Sequence, residues 1–262
     1  METDVLVKVE QVFKSYGAVR ALNGISLQLR RGEIVGLLGP NGSGKTTLLK
    51  ILMGFVKPDS GEVSVLGMDP YDNPDVRARV GYVPEEPALY ESLTPKELFD
   101  LIARVRGLDP RAYSERLGVL VSSLGLMERV NDLIGSLSRG NKQKVAIISA
   151  LLHDPEVLLL DEPITGLDPV VARVFKEILY DIRDRGCGII FSTHILELAE
   201  AICDRIIILH QGRAVVEGTV EEVLELASKE KSLEEVFLEV TGKSHEVQEI
   251  VRALRSHGGP PR

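Results

Sequence analysis

Gly39-Pro40-Asn41-Gly42-Ser43-Gly44-Lys45-Thr46-Thr47 is the stretch that decides the fold. It fits the P-loop pattern G-x-x-x-x-G-K-[ST]. The apolar residues 34–38 before it predict a buried strand, and residues 47–53 after it predict a helix. A strand, a glycine loop and a helix in this order form the context that the pattern requires. The alternative is a glycine turn that binds nothing.

Each residue type in this loop has a chemical use beside an anion. Glycines let backbone N–H groups turn inward around a phosphate without a Cβ clash. The N-terminus of the following helix adds unpaired N–H donors and a partial positive charge. Lys45 would neutralise the outer phosphates of a nucleotide, and the Thr46 hydroxyl would ligate Mg²⁺. The predicted nucleotide contacts are Gly39, Pro40, Asn41, Gly42, Ser43, Gly44, Lys45, Thr46 and Thr47.

The composition limits the class of protein. A chain of 262 residues can form one large core or two small domains, and its net charge of −8 argues against a sequence-independent grip on nucleic acid. No apolar run approaches the roughly 18 residues of a membrane-spanning helix, and residues 1–4 lack the basic and apolar parts of a signal peptide. We therefore expect a cytoplasmic protein. Cys187 and Cys203 are expected to be buried, reduced thiols.

Strand and helix patterns alternate in two blocks that flank an all-helical stretch. The blocks cover residues 1–85 and 146–227, and helical periodicity fills residues 86–145, where Gly107 and Gly125 are placed as helix stops. The predicted fold is α/β, with a mostly parallel central sheet, an N-terminal antiparallel β portion and an inserted helical subdomain. A C-terminal helix and a frayed tail are predicted over residues 228–262.

Two carboxylates end the apolar strand predicted at residues 157–160. Phosphoryl transfer on a P-loop needs a carboxylate at a strand end to hold Mg²⁺, and Asp161 is placed for it. Hydrolysis also needs a group that accepts a proton from water, and Glu162 is the candidate. The alternative is two solvated carboxylates at a strand end. Four apolar residues directly before them favour the functional interpretation.

Three further residues are candidates because of their position. His194 follows a predicted strand whose end should share the sheet edge of the P-loop and of Asp161. Tyr16 could stack on a purine ring, although a tyrosine at a strand end usually packs. Asp168 is a good N-cap before Pro169, and a capping carboxylate can also face a neighbouring subunit.

These elements together resemble the nucleotide-binding subunit of an ATP-binding cassette (ABC) transporter. The resemblance covers about residues 5–240 and follows the family's order of motifs. Its more specific parts are Leu137-Ser138-Arg139-Gly140-Asn141 ahead of the Asp161–Glu162 strand and Ser192-Thr193-His194 after it.

The resemblance implies roles for the candidate residues. Two subunits would sandwich ATP head to tail, with Tyr16 on the adenine, and Lys45 and the loop backbone on the phosphates. Thr46 and Asp161 would hold Mg²⁺, Glu162 would activate water, and His194 would contact the γ-phosphate. Ser138 and Gly140 would reach the γ-phosphate on the opposite subunit, and Asp168 would link the two sites.

The chain departs from the family pattern at three positions. Glu85 stands where the family usually has glutamine; a carboxylate can still ligate Mg²⁺, but when ionised it cannot donate a hydrogen bond to water. Arg139 replaces the first glycine of the signature loop, and Asn141 replaces a glutamine. Arg139 is expected to point to solvent, the alternative being a cation near the opposite phosphate.

The resemblance also implies partners, namely a membrane permease and a second copy or a homologous ATPase subunit. The ending Ser232-Leu233-Glu234-Glu235-Val236-Phe237-Leu238-Glu239-Val240 is similar to the tail of an exporter subgroup; an amphipathic helix packed on the core explains it equally. The rival classes are a soluble ABC ATPase of DNA repair or translation and a metabolic P-loop kinase. The first usually carries two cassettes, a coiled coil or a zinc module, and the second does not need residues 137–140.

Overall fold

The computed structural model describes residues 4–225 and 237–238. Its strands are β1 (Val5–Tyr16), β2 (Val19–Arg30), β3 (Ile34–Leu38), β4 (Ser60–Val65), β5 (Val80–Val83), β6 (Val157–Asp161), β7 (Gly188–Thr193), β8 (Arg205–His210) and β9 (Arg213–Thr219). An antiparallel sheet of order β2-β1-β4 joins the two N-terminal strands to a later one. A second sheet of order β5-β6-β7-β3-β8-β9 is parallel except for the β8–β9 pair.

Helices connect the parallel strands, and three of them, at residues 95–105, 110–123 and 139–151, lie between β5 and β6. Short 3₁₀ turns occur at Pro74–Arg79, Met127–Arg129 and Ile134–Ser136. In the described part of the chain, no helix has the length and apolar character needed to cross a membrane. The helices are α1 (Lys45–Leu52), α2 (Pro95–Val105), α3 (Pro110–Ser123), α4 (Arg139–Leu151), α5 (Pro169–Asp184), α6 (Leu196–Ile202) and α7 (Val220–Glu225).

The central strands are apolar on both sides because both faces of the large sheet are covered. In β6, Leu158 and Leu160 face a core shared with the helical stretch, whereas Val157 and Leu159 face a core shared with α1 and the antiparallel sheet. The helical stretch therefore packs continuously on one face of the sheet.

The predicted α/β fold with its helical insert is confirmed. Gly107 and Gly125 end α2 and α3 with φ of +62° and +63°, and Cys187 and Cys203 are buried free thiols. The predicted boundary at residue 145 falls within α4, so the division into subdomains at that residue stays a prediction. Residues 228–236 and 239–262 of the predicted tail lie outside the described residues, while Phe237 packs against the core.

Two element boundaries differ from those that the sequence pattern predicts. The pattern predicts a first strand over residues 5–13, but β1 continues to Tyr16. A bulge at Gln11, with φ of +47° and a register shift between Val9 and Val12, breaks the alternation of the strand. The pattern also predicts a helix from about Asn141, but α4 begins at Arg139, because the Ser138 side chain accepts a hydrogen bond from the Asn141 N–H and caps the helix there.

Candidate functional site

The carboxyl ends of neighbouring parallel strands form a cavity of about 440 Å³. In the sheet order β6-β7-β3, Asp161 pairs with Ser192 and Leu38 pairs with Thr193, so the three strands end level with one another. This is the edge at which open α/β sheets bind ligands. The cavity is lined by Val19, Ala21, Asn41, Gly42, Ser43, Gly44, Lys45, Thr46, Thr47, Glu85, Asp161 and Glu162.

Two positions of the loop admit only glycine. A Cβ at Gly39 would lie 2.5 Å from both the Leu209 carbonyl oxygen and Ser43 Oγ. A Cβ at Gly44, where φ is +111°, would lie 2.5 Å from the Ala21 carbonyl oxygen. The loop is thus pressed against β8 and β2, and its remaining open side is the cavity.

Lys45 begins α1 and is 6% exposed. Its Nζ donates to the Gly39 carbonyl at 2.6 Å and to the Pro40 carbonyl at 3.3 Å. Burial lowers the pKa of Lys45, and the negative charges of Glu162, Asp161 and Glu85 oppose that shift. The carbonyl groups of the loop and the nearby carboxylates therefore stabilise the charged ammonium group of Lys45 in the cavity.

Asp161 is the last residue of β6 and is 1% exposed. Its Oδ1 accepts a hydrogen bond from Ser192 Oγ at 2.7 Å. Its Oδ2 is buried and has no hydrogen-bond partner among the described residues. A buried carboxylate oxygen with an unused lone pair, on a cavity that also contains the Thr46 hydroxyl, is a donor set that suits Mg²⁺. The residues present therefore fit this cation.

Glu162 leaves the strand with a left-handed backbone, its φ being +49°, and is 6% exposed. The left-handed turn brings its carboxylate to β7. Oε2 lies 3.4 Å from Thr193 Oγ1, and Oε1 lies 2.9 Å from Nδ1 of His194. The His194 side chain is itself 55% exposed. A buried carboxylate on the cavity wall is thus held by one hydroxyl and one imidazole, and the alternative of two solvated carboxylates is wrong.

Ser138, Gly140 and Asp168 form a second group, here called the signature surface, and none of them lines the cavity. A Cβ at Gly140 would lie 2.5 Å from the Gly166 carbonyl oxygen, so the start of α4 touches the loop that leads to Asp168. Asp168 Oδ1 caps α5, and Oδ2 lies 3.8 Å from Lys144 Nζ. The N-cap prediction for Asp168 is confirmed.

The remaining candidates are exposed side chains, and Glu85 is the one of them that lines the cavity. Glu85 follows β5, is exposed and lines the cavity. Tyr16 ends β1, is 49% exposed, and carries the Lys14 ammonium 5.6 Å from its ring centroid. It is therefore not packed in the core. Arg139 is exposed, as expected.

The sequence did not predict the residues that hydrogen-bond to the two carboxylates or that line the cavity from β2. Ser192 and Thr193 are buried and bind Asp161 and Glu162, although they were noted only as neighbours of His194. Their position at the end of a predicted parallel strand next to β6 is the signal that could have found them. Val19 and Ala21 line the cavity from β2, for which the sequence pattern predicts a strand over residues 25–29 alone.

The P-loop, the buried lysine and the strand-terminal carboxylates around one cavity define a P-loop nucleotide-binding protein. Residues 22–165 match the family model described as ABC transporter. The chain is 36% identical over 222 residues to the ABC transporter ATP-binding protein NatA of Bacillus subtilis strain 168, which covers 84% of this chain and 90% of that protein.

A second relative and a solved structure agree with that match. The Nod factor export ATP-binding protein I of Burkholderia orbicola strain AU 1054 is 37% identical over 220 residues, covering 84% of this chain and 72% of that protein. A solved structure described as the ATP-binding subunit of an ABC transporter superposes with a TM-score of 0.86 at 36% identity, covering 90% of this chain and 99% of that one. The chain belongs to the ABC transporter family and is an ATP-binding subunit of that family.

Proposed function

We propose that this chain hydrolyses ATP in the cavity and that the energy drives transport by a separate membrane permease. One observation carries the hydrolytic part: two buried carboxylates, Asp161 and Glu162, share a cavity with the buried cation of Lys45. One carboxylate has a free oxygen, and the other is held by His194. The site therefore offers separate groups for the cation and for water.

Lys45 and the loop backbone bind the phosphates in this proposal. Residues 41–47 line the cavity, and the N-terminus of α1, which begins at Lys45, adds its partial positive charge. Tyr16, which is exposed and pairs with Val19 of the cavity lining, stacks on the adenine. The Mg²⁺ that accompanies ATP would be held by Thr46, Asp161 and Glu85, and it would offset the negative charge of the phosphate oxygens.

Glu162 is the proposed general base. Its carboxylate accepts a proton from the water that attacks the γ-phosphate, and His194 keeps that carboxylate in place while its exposed ring remains free to contact the γ-phosphate. Lys45 stabilises the charge that develops on the phosphoryl group. The positions of Lys45 and Glu162 on the cavity wall support these roles.

A second subunit completes the site in this proposal. The signature surface lies outside the cavity lining, so Ser138 and Gly140 serve a nucleotide held by another copy or by a homologous ATPase subunit. Ser138 caps α4, and the N-terminus of that helix offers N–H donors to an anion. Asp168 lies between the two nucleotides and links them.

The permease partner is inferred from the family. Export is inferred from the name of the Nod factor relative, which specifies export, and from residues 232–240, which are similar to the tail of an exporter subgroup. The helical insert and the loop at Glu85 form the proposed docking face. The subunit would thereby be held at the inner face of the membrane through the permease.

Complementation between two inactive variants tests the shared site. Ser138→Arg blocks the surface offered to the partner, and Lys45→Ala removes the phosphate cation; each alone should hydrolyse ATP at less than about 1% of the wild-type rate. Mixed dimers contain one intact site, so mixing the two proteins should restore measurable hydrolysis. Ser122→Arg, on the exposed side of α3, is the matched control and should stay active. Full activity of Ser138→Arg, or no recovery on mixing, would contradict the proposal; a monomeric kinase predicts the first outcome.

A further inference from the structure

The backbone at Glu162 is in a conformation that its sequence disfavours. Its φ is +49°, a left-handed value that costs energy for a residue with a Cβ. The next residue is Pro163, which pushes the residue before it towards extended backbone. A conformation of this kind persists only where surrounding contacts hold it. The contacts that hold the chain at Glu162 therefore determine where its carboxylate lies.

Three hydrogen bonds hold this turn. The Glu162 N–H donates to the Ser192 carbonyl at 3.1 Å, and the Thr165 N–H donates to the Glu162 carbonyl at 3.2 Å. Both are backbone bonds, which most residue types could make. The third is the only one of the three made by a side chain: Nε2 of Gln143 donates to the Pro163 carbonyl at 3.0 Å.

The side chain of Gln143 is buried where it makes this contact. It lies in the second turn of α4 and is 2% exposed, so its amide group is shielded from water. Proline fixes its own φ, and a bond to the Pro163 carbonyl therefore restrains the peptide planes on both sides of that residue. The carboxylate of Glu162 contacts Thr193 and His194 instead, so Gln143 acts on the backbone only.

We propose that Gln143 is a positioning residue for ATP hydrolysis, which fixes the left-handed turn at Glu162 through the Pro163 carbonyl and so aims the base at the cavity. This rests on the proposed function. Helix α4 carries Ser138 and Gly140 at its start and Gln143 one turn later. A nucleotide bound to the partner subunit would contact the start of α4. The same helix holds the turn at Glu162, the proposed base of this subunit, through Gln143.

Gln143→Leu removes the donor while keeping a similar volume. The P-loop is untouched, so the KM for ATP and the affinity for nucleotide should stay within about twofold, while kcat should fall about 10- to 100-fold because the base is misplaced. Ser149→Ala is the matched control: it lies on the same helix, and its buried Oγ has no partner among the described residues, so kcat should be unchanged. A wild-type kcat for Gln143→Leu, or a raised KM at unchanged kcat, overturns the proposal.

Gln143→Glu supplies a readout that a purely structural role would not give. The protonated carboxyl can donate to the Pro163 carbonyl, whereas the ionised form repels it. The ratio of variant to wild-type kcat should therefore rise as the pH falls, and the wild-type profile corrects for the nearby charges of Lys144, Asp161, Glu162 and Lys45. A ratio that is constant with pH contradicts the proposal. This test can be made even if Gln143→Leu does not fold.

Glu162→Gln separates this inference from the proposed function. If Glu162→Gln is inactive and Gln143→Leu is fully active, only the positioning role is wrong. If Glu162→Gln is itself active, the assignment of the base is wrong. The double variant should be no slower than Glu162→Gln, because both changes act on the same group.

Discussion

Nδ1 of His194 lies 2.9 Å from Oε1 of Glu162, so an exposed imidazole at the end of one strand holds a buried carboxylate at the end of the next. Loss of the ring should leave the phosphate-binding loop intact but free the carboxylate to turn. We expect His194→Ala to lower kcat by about 10²-fold or more, with the KM for ATP changed by less than about threefold. Steady-state kinetics provide the measurement. Glu197→Ala, an exposed residue at the start of α6, is the control, and an equal loss there would contradict the assignment.

Glu85 adds a negative charge to the cavity in which the phosphates would lie. Its carboxylate also supports the charged form of Lys45. We expect Glu85→Gln to retain ATP hydrolysis and to depend less on Mg²⁺, because removing one charge favours metal-free ATP by about 1 kcal/mol, or roughly fivefold in affinity. A Mg²⁺ titration of the hydrolysis rate, with nucleotide binding measured in excess chelator, tests this. An unchanged titration would count against a role of Glu85 at the metal.

Ser192 orients Asp161 by donating to Oδ1, which leaves Oδ2 without a partner among the described residues. Partners behind a metal ligand typically change metal affinity about 10- to 100-fold when removed. Ser192→Ala should therefore raise the Mg²⁺ concentration at half-maximal rate by about tenfold. Nucleotide binding without divalent cations should be unaffected, and a change there of the same size would show that the effect is not on the cation.

His153 should make the protein less stable in mild acid. Burial, together with the nearby cations of Arg106 and Arg116, lowers the pKa of His153 to about 4, against 6.5 for the ordinary group. The unfolded chain therefore takes up a proton below pH 6.5, whereas the folded chain takes it up only at about pH 4. The contribution of neutral His153 to the free energy of unfolding is lost as the pH falls through that window.

The size of this effect follows from the two pKa values. Between pH 7 and pH 5 the contribution of His153 to the free energy of unfolding should fall by about 2 kcal/mol. His153→Gln should lose less stability than the wild type over that interval, as measured by urea unfolding at each pH. Parallel losses in the two proteins would show that another group causes the pH dependence.

The parts of the site that could be predicted are those specified by local sequence. The P-loop combines a strand, glycines and a helix in one stretch, and Asp161 and Glu162 follow a run of apolar residues. Parallel strands bring their carboxyl ends to one edge of the sheet, and this rule also predicted the position of His194. The supporting side chains could not be predicted in this way. Ser192 and Gln143 act through contacts that depend on how β7 and α4 pack, and that packing follows from the tertiary structure.

Two local backbone conformations also could not be predicted from the sequence. The positive φ of Glu162 contradicts the preference of a residue before proline, and the bulge at Gln11 interrupts the alternation of β1. Local rules failed in both places because tertiary contacts outweigh local preferences there. At Glu162 the exception lies at the candidate base itself.

We propose that two subunits close one catalytic site. This proposal is tested most directly by the mass of Glu162→Gln in solution with ATP and Mg²⁺, measured by light scattering after gel filtration. Without hydrolysis the nucleotide should remain between the P-loop cavity of one subunit and the signature surface of the other, so we predict a dimer with ATP and a monomer without nucleotide or with Ser138→Arg added. A protein that binds ATP and remains monomeric at every concentration, while the wild type hydrolyses ATP at a rate per subunit independent of concentration, would contradict the account.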